Sequence, residues 1–480
     1  MSRLHVLLFT HDLRVHDNAA LSAACRAAER DGGQVLPLYL FDPALWQTEQ
    51  ASARQFDFLL ECLRDLNAAL EARGSALQVE IGNPEDVLRD LHRRKGLASL
   101  HLHEASPFAH SPHQEIETLC RRAGIPLRVH GQNGITSALE LTKDWKQSWR
   151  QTMAASRLAP PDKITSPALT PAHWPDAKAL SLAPTWLMPA QKGGRAAAIK
   201  RLKSEFTTQS DPSGASLVDD LSAHLTYGTL SAREVWQGLQ AAYARAAADH
   251  NDTAALPYGQ QIEALEAWCE ASQRRASSPS SGIVPMQDDT ALNMARLRAW
   301  KNGRCGLPII DAGMRAILAH GVVDPAYQPV LLDFAVHTVG LTRPSARAHL
   351  VSLCTAPDPR LYVELPNRIP QRAARARLQH VVRQSRALDP DGLFIRRYVP
   401  ELADLPTEHL HAPWDAPVHA LIEADIVIGQ TYPNPGAEDP NTALPAILST
   451  PRPAATRLSP LRPVRRTHAD PKTRQFSLPF

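Results

Sequence analysis

Asp311 and Arg315 in "GLPIIDAGMRAIL" stand one helical turn apart, a spacing that lets them meet as an i,i+4 ion pair and turn one helix face toward a ligand. Trp268 in "IEALEAWCEASQRR" offers a flat face on which an unstacked base could lie. The apolar residues around it follow helical spacing, however, so core packing is the expected use of its indole. Asp12, Arg14, Asp17 and Asn18 come directly after an apolar run and have the side chains that cap a turn and brace the next helix. Other chemistries find little support. His101, His103 and His110 scatter about a strand end without a Cys/His cluster, so a metal site is not expected there. No H-x-x-x-H, phosphate-loop lysine motif or G-x-S-x-G stands in a suitable setting. The six cysteines, Cys25, Cys62, Cys120, Cys269, Cys305 and Cys354, form no CxxC pair, and a reduced cytoplasmic protein is expected.

These residues need elements to position them. β-rich runs at 5–9, 35–41, 77–81, 99–103 and 126–130 alternate with helical patterns such as 54–73 and 113–123. Residues 1–132 therefore read as a Rossmann-like α/β domain, an open parallel sheet with covering helices. The sheet's carboxyl edge is a place where a small cofactor could sit. Glycines in "DGG", "RGS" and "AG" fall where helices should end. Residues 133–192 are rich in proline and read as a linker laid over the surface, pinned by Trp145, Trp149, Trp174 and Trp186. Periodic apolar positions through Val235, Leu265, Met314 and Phe334 predict a mostly helical domain over 193–430, with a polar break at Ser272 to Gly282.

A chain of 480 residues with 44% apolar side chains is long enough for two or three domains. With 52 Lys and Arg against 49 Asp and Glu, a uniformly basic nucleic-acid surface is not expected, although a local basic groove stays open. The longest apolar runs are strand-sized, and no basic-then-apolar leader opens the sequence. Residues 431–480 form a Pro/Arg-rich extension. Its last part, Pro451 to Phe480, has six prolines, six arginines and one lysine against one aspartate, the composition of a solvated tail that could meet nucleic acid or an acidic partner.

Several segments together resemble the photolyase/cryptochrome family. "HDLRVHDNAAL" matches its first loop and helix, and "FLLECLRDLNAALEARGSAL" with "GNPEDVL" looks like the next helix, strand and turn. "GGRAAAIKRLKSEF", "LSAHLTYGTLSAREVW", "AWKNGRCGLPIIDAGMRAIL" and "LDPDGLFIRRYVPELADLPTEHLHAPW" follow in the family's order. The resemblance implies an antenna-type α/β domain, a linker and a helical domain that binds FAD. It also implies an antenna chromophore, which no residue here identifies. Carried over position by position, it puts Ser222 at the flavin diphosphate, Asp311, Arg315 and Asn367 near the flavin, and Trp268 with Glu270 at the cavity for a flipped pyrimidine dimer.

The same comparison exposes departures from the family pattern. Val218 and Asp219 stand where Thr-Ser is usual, so a carboxylate lies near the expected phosphate. After "GLPIIDAGMRAILAHG" the usual Trp, His, Asn and two Arg give way to Val322, Asp324, Pro325, Ala326 and Gln328. Glu364 and Asn367 are present in the next segment, but no tryptophan lies between Trp300 and Trp414, so at least two relay tryptophans are absent. Leu265 and Cys269 occupy positions usually held by Glu and Arg. The reading that follows is a photolyase/cryptochrome-like flavoprotein acting in light-driven pyrimidine-dimer repair or blue-light sensing, with DNA or a tail-bound protein as partner. The alternative is a flavin-free protein of the same fold that serves protein interaction or an unknown ligand.

Overall fold

The computed structural model describes residues 3–104, 113–135, 144–168, 174–183, 187, 191–207, 216–248, 252–276, 291–322, 324–362 and 374–435. The chain divides into two units, Met1–Asn441 and Thr442–Phe480, and every described residue belongs to the first.

Five strands, β1 (Leu4–Phe9), β2 (Gln34–Phe41), β3 (Gln78–Ile81), β4 (Leu97–His103) and β5 (Leu127–His130), form one parallel sheet in the order β3-β2-β1-β4-β5. Each expected strand lies within a residue or two of its apolar run. β1 is buried along its whole length, which is why it reads as an unbroken apolar run rather than an alternating one. Leu7, Phe9, Val35 and Phe41 point to one face, against Phe56, Leu59 and Leu63 of the helix Ala53–Glu71. Val6, Leu8, Leu36 and Leu38 point to the other, against Leu88, Leu91, Ile116 and Leu119.

The loop after β1 braces the next helix as expected. Asn18 caps Ala19–Asp31 by accepting from Leu21 N–H, and that helix ends on Gly32 in the left-handed region. Asp12 accepts from Thr10 N–H and pairs with His103 Nδ1 at 2.7 Å. The loop also reaches the helical part of the molecule. Leu13 N–H donates to Tyr227 O, and Arg14 donates to Gly228 O at 2.8 Å. The backbones approach so closely that a Cβ on Gly228, whose φ is +69°, would lie 2.0 Å from His11 O.

The region from Arg195 onward is helical. At its centre Pro308–His320 is buried on all sides from Pro308 to Leu318, as its near-continuous apolar sequence requires. Arg54, from the first region, reaches its C-terminus. Its guanidinium donates to Ile317 O, Leu318 O and Leu353 O at 2.9, 2.6 and 2.7 Å. The polar break predicted from Ser272 does not begin there. Helix Asp252–Ala276 continues through it, because Ser272 and Gln273 are fully buried and Ser272 Oγ turns back to donate to Trp268 O. Residues 277–282 lie outside the described residues. In the proline-rich stretch, Trp145 and Trp149 are buried on helix Trp145–Ala154 and Trp174 packs on the first core, while Trp186 lies outside the described residues. Among the described residues no helix is long and apolar enough to cross a membrane.

Candidate cofactor site

Helix Leu217–Thr226 begins with Ser216 as its cap and carries Asp219 and Asp220 in its first turn, where the helix dipole favours carboxylates. One turn further, Ser222 Oγ donates to Asp358 at 2.9 Å and accepts from Trp268 Nε1–H at 3.2 Å. Arg360 spans the remaining gap. Its Nε and Nη2 donate to the two oxygens of Asp358 at 2.9 and 2.6 Å, and its Nη1 donates to Asp219 at 2.6 Å. Ser222, Trp268, Asp219 and Asp358 are all buried. Burial pushes the Asp219 carboxyl up to about 6, while Arg360 pulls it down and Asp324 and Asp358 add to the rise. Burial works the same way on Asp358, but there Arg360 wins and holds it below the usual range. The carboxylate that the sequence placed at a phosphate position is thus met by a guanidinium from the chain itself, and Ser222 is engaged as both donor and acceptor.

Arg360 lies on the short turn Pro359–Tyr362, and Tyr362 gathers further cations. Its hydroxyl donates to Gln50 at 2.8 Å, while the guanidiniums of Arg275 and Arg347 lie 4.6 and 5.3 Å from its ring centre. The buried Nε of Arg275 has no hydrogen-bond partner. Sequence reasoning missed all three arginines, although one signal was available. Arg275 follows Trp268 by seven residues and so shares its helix face. Arg347 and Arg360 arrive from distant segments, and no local pattern announces them.

Helix Asp252–Ala276 does not bring Trp268 and Glu270 together, because residues two apart face different ways. Trp268 is only 2% exposed and points to Ser222, whereas Glu270 pairs with Arg274 at 2.6 Å and Lys146 at 3.6 Å near the surface. The ion pair expected between Asp311 and Arg315 is also replaced. Asp311 accepts from Cys305 N–H, Gly306 N–H and Tyr432 Oη–H at 2.6, 3.0 and 2.7 Å, closing the loop before its helix and holding the segment around Tyr432. Arg315 instead forks onto Glu401 at 2.9 and 2.7 Å and reaches Gly303 O, since a bidentate carboxylate matches its planar donors better than a neighbour on the same helix. Burial pushes Asp311 up to about 6, with Arg315 and its three donors opposing. Asn367 and Glu364 lie outside the described residues. Tyr327, a tyrosine among the segments where relay tryptophans are missing, stacks on Phe394 at 4.1 Å.

Two family profiles match the chain: DNA photolyase over residues 5–154, and the FAD binding domain of DNA photolyase over residues 260–443. A deoxyribodipyrimidine photo-lyase of Streptomyces griseus is 25% identical over 470 residues, spanning 90% of this chain and 95% of that protein. A cryptochrome DASH of Gloeobacter violaceus is 26% identical over 476 residues, spanning 91% and 93%. In fold, a Synechocystis cryptochrome superposes with a TM-score of 0.70 at 19% identity over 91% of this chain and 96% of that one. A class III photolyase of Agrobacterium tumefaciens gives 0.66 at 21% identity over 91% and 94%.

The donor set can be tested against FAD directly. A diphosphate needs cations and N–H groups; Arg360 is already taken by Asp358 and Asp219, and the guanidiniums of Arg275 and Arg347 on the Tyr362 ring are of the right chemistry to hold one. Ser222 Oγ is engaged by Asp358 and Trp268, whereas the Nε of Arg275 is left without a partner. The two profiles, the matching relatives and the shared fold show that the chain belongs to the photolyase/cryptochrome family, carries that family's FAD-binding domain and is a flavoprotein.

Proposed function

We propose that this chain is a light-responsive flavoprotein of the cryptochrome kind rather than an enzyme that splits pyrimidine dimers. The observation that supports this most is the position of Trp268. A flipped dimer needs an open aromatic face and a polar edge in one cavity. Here the indole is buried and bonded to Ser222, and Glu270 stands on another side of the helix. In this reading Arg275 and Arg347 meet the diphosphate of FAD, and the Asp219–Arg360–Asp358 bridge fixes the turn that carries Tyr362. FAD supplies the light absorption and one-electron chemistry. Residues 1–132 are the antenna-type domain, 133–192 the linker, 193–430 the flavin domain and 431–480 an extension.

The partner is then a protein with an acidic surface, met by the basic tail Pro451 to Phe480, and any contact with DNA is weak, in keeping with a net charge of only +3. A cytoplasmic location agrees with six buried, unpaired thiols. The test irradiates FAD-reconstituted protein with blue light, in the presence of a reductant and a dimer-containing oligonucleotide. The proposal expects a bound flavin with a light-dependent spectrum and an unchanged dimer content. Light-dependent loss of dimers overturns the sensing reading, and failure to take up flavin overturns its cofactor.

A further inference from the structure

The guanidinium of Arg360 is shared unequally by two carboxylates. Asp358 takes Nε and Nη2 at 2.9 and 2.6 Å and also accepts from the Arg360 backbone N–H at 2.9 Å, so it holds both the side chain and the turn Pro359–Tyr362. Asp219 is tied by Nη1 alone, at 2.6 Å. Releasing Asp219 leaves the turn fastened, whereas releasing Asp358 does not. Nor is the bridge sealed, since the Arg360 side chain is 12% exposed and that of Asp219 6%.

Charge separates the two carboxylates further. Among the described residues the charged groups facing Asp219 are Arg360, Asp358 and the exposed Asp324. Arg201, on the packed helix Arg195–Thr207, is taken by Asp220 at 2.7 Å, and helix Asp252–Ala276 brings the uncharged Gln261 and Trp268 to Ser216 and Ser222. One cation against two other carboxylates leaves Asp219 short of compensation, and burial pushes it up to about 6, while Asp358 stays below the ordinary range. With Asp219 ionised, the guanidiniums of Arg275, Arg347 and Arg360 exceed the two buried carboxylates by a single charge. A doubly charged diphosphate diester then meets less positive charge than it needs. A proton on Asp219 removes that deficit, and the resulting O–H can donate to a phosphate oxygen that a carboxylate would repel.

We infer that Asp219 is a built-in competitor of the flavin diphosphate, an internal carboxylate that must give up Nη1 of Arg360, or its own charge, before the anion is held. Asp358 keeps the turn in place throughout, so the competition is confined to one side of one guanidinium. It presupposes the reading in which FAD meets the arginines around Tyr362.

The test is equilibrium dialysis of the full chain at about pH 5.5 and about pH 7.5, against FAD and against ADP-ribose, which carries the same diphosphate diester without the isoalloxazine ring. Neither diester changes its charge in that interval. The wild type should bind FAD about tenfold more weakly at the higher pH, because the fraction of chains carrying the Asp219 proton falls. Asp219→Asn, which keeps an acceptor for Nη1 without the charge, should bind about tenfold more tightly than the wild type at the higher pH and lose the pH dependence. Asp220→Asn removes the same charge one residue along, from the pair with Arg201, and should leave both affinities unchanged. A wild-type affinity that is flat between the two pH values overturns the inference without any variant. A folded Asp219→Asn that binds no tighter than the wild type at the higher pH overturns it too, as does an equal gain in Asp220→Asn, the mark of a general charge effect. No uptake of FAD, with ADP-ribose following the expected pattern, would refute the flavin reading and leave the competition standing. Binding of neither ligand at either pH refutes both.

Discussion

Arg54→Met removes a single buried cation that joins the sheet region to the ends of two helices. The guanidinium is 1% exposed and donates to three carbonyls. Ile317 O also receives Gly321 N–H, so it keeps a partner, but among the described residues Leu318 O and Leu353 O do not. Each buried carbonyl left bare costs about 1–3 kcal/mol, or about 2–6 kcal/mol for the two. Against this stands relief from burying a charge. Burial has already pulled the guanidinium down to about 10, which marks a desolvation cost that methionine does not carry. Methionine also fills much of the same volume. The balance is a loss of about 2–4 kcal/mol, to be read from urea unfolding at neutral pH. A variant within about 0.5 kcal/mol of the wild type, at unchanged denaturant dependence, would refute the view that this side chain fastens the two regions.

Gly228→Ala should cost about 3 kcal/mol or more, because it adds left-handed strain to a contact 2.0 Å from His11 O; a thermal midpoint equal to that of the wild type would contradict the close approach. His349→Phe should stabilise by about 1 kcal/mol at pH 7, since the ring stands beside Trp300 with its Nε2 buried and lacking a partner. Burial holds His349 neutral, down at about 3 from its ordinary 6.5, so the wild type loses stability as pH falls from 6.5 toward 3 and the variant should lose less, as acid titration of unfolding would show. Asp219→Asn should act in the opposite direction. The folded state binds that proton more tightly than the unfolded chain, so the contribution of Asp219 falls as pH rises from 3.8 to about 6. Unfolding free energies at pH 4 and pH 7 should therefore show the variant gaining on the wild type at the higher pH, by on the order of 1 kcal/mol.

The sheet was legible because β1 and β2 are apolar runs closed by turn residues and the shorter strands repeat their β-rich pattern between helical segments, and because Asn18 and Gly32 do local work that their types announce. The helix through Ser272 was not, since a polar side chain whose hydroxyl bonds back to Trp268 O looks identical in sequence to one that ends a helix. Spacing put Asp311 and Arg315 on one turn but could not show that Glu401 and Tyr432, from later segments, would claim them. Trp268 and Ser222 were singled out separately, and only the fold reveals that one donates to the other. The arginines at Tyr362 were least visible, because Arg275, Arg347 and Arg360 meet through three segments with no shared period.

How this chain meets FAD is read most directly from the flavin it holds. Bound flavin should be released and counted after reconstitution of the wild type, Ser222→Ala and Arg275→Ala, with near-UV circular dichroism to confirm that each is folded. The structure predicts stoichiometric FAD in the wild type, little change in Ser222→Ala and a marked loss in Arg275→Ala, because the unpartnered donor lies on the Tyr362 side. A wild type without flavin, or a loss confined to Ser222→Ala, would contradict it.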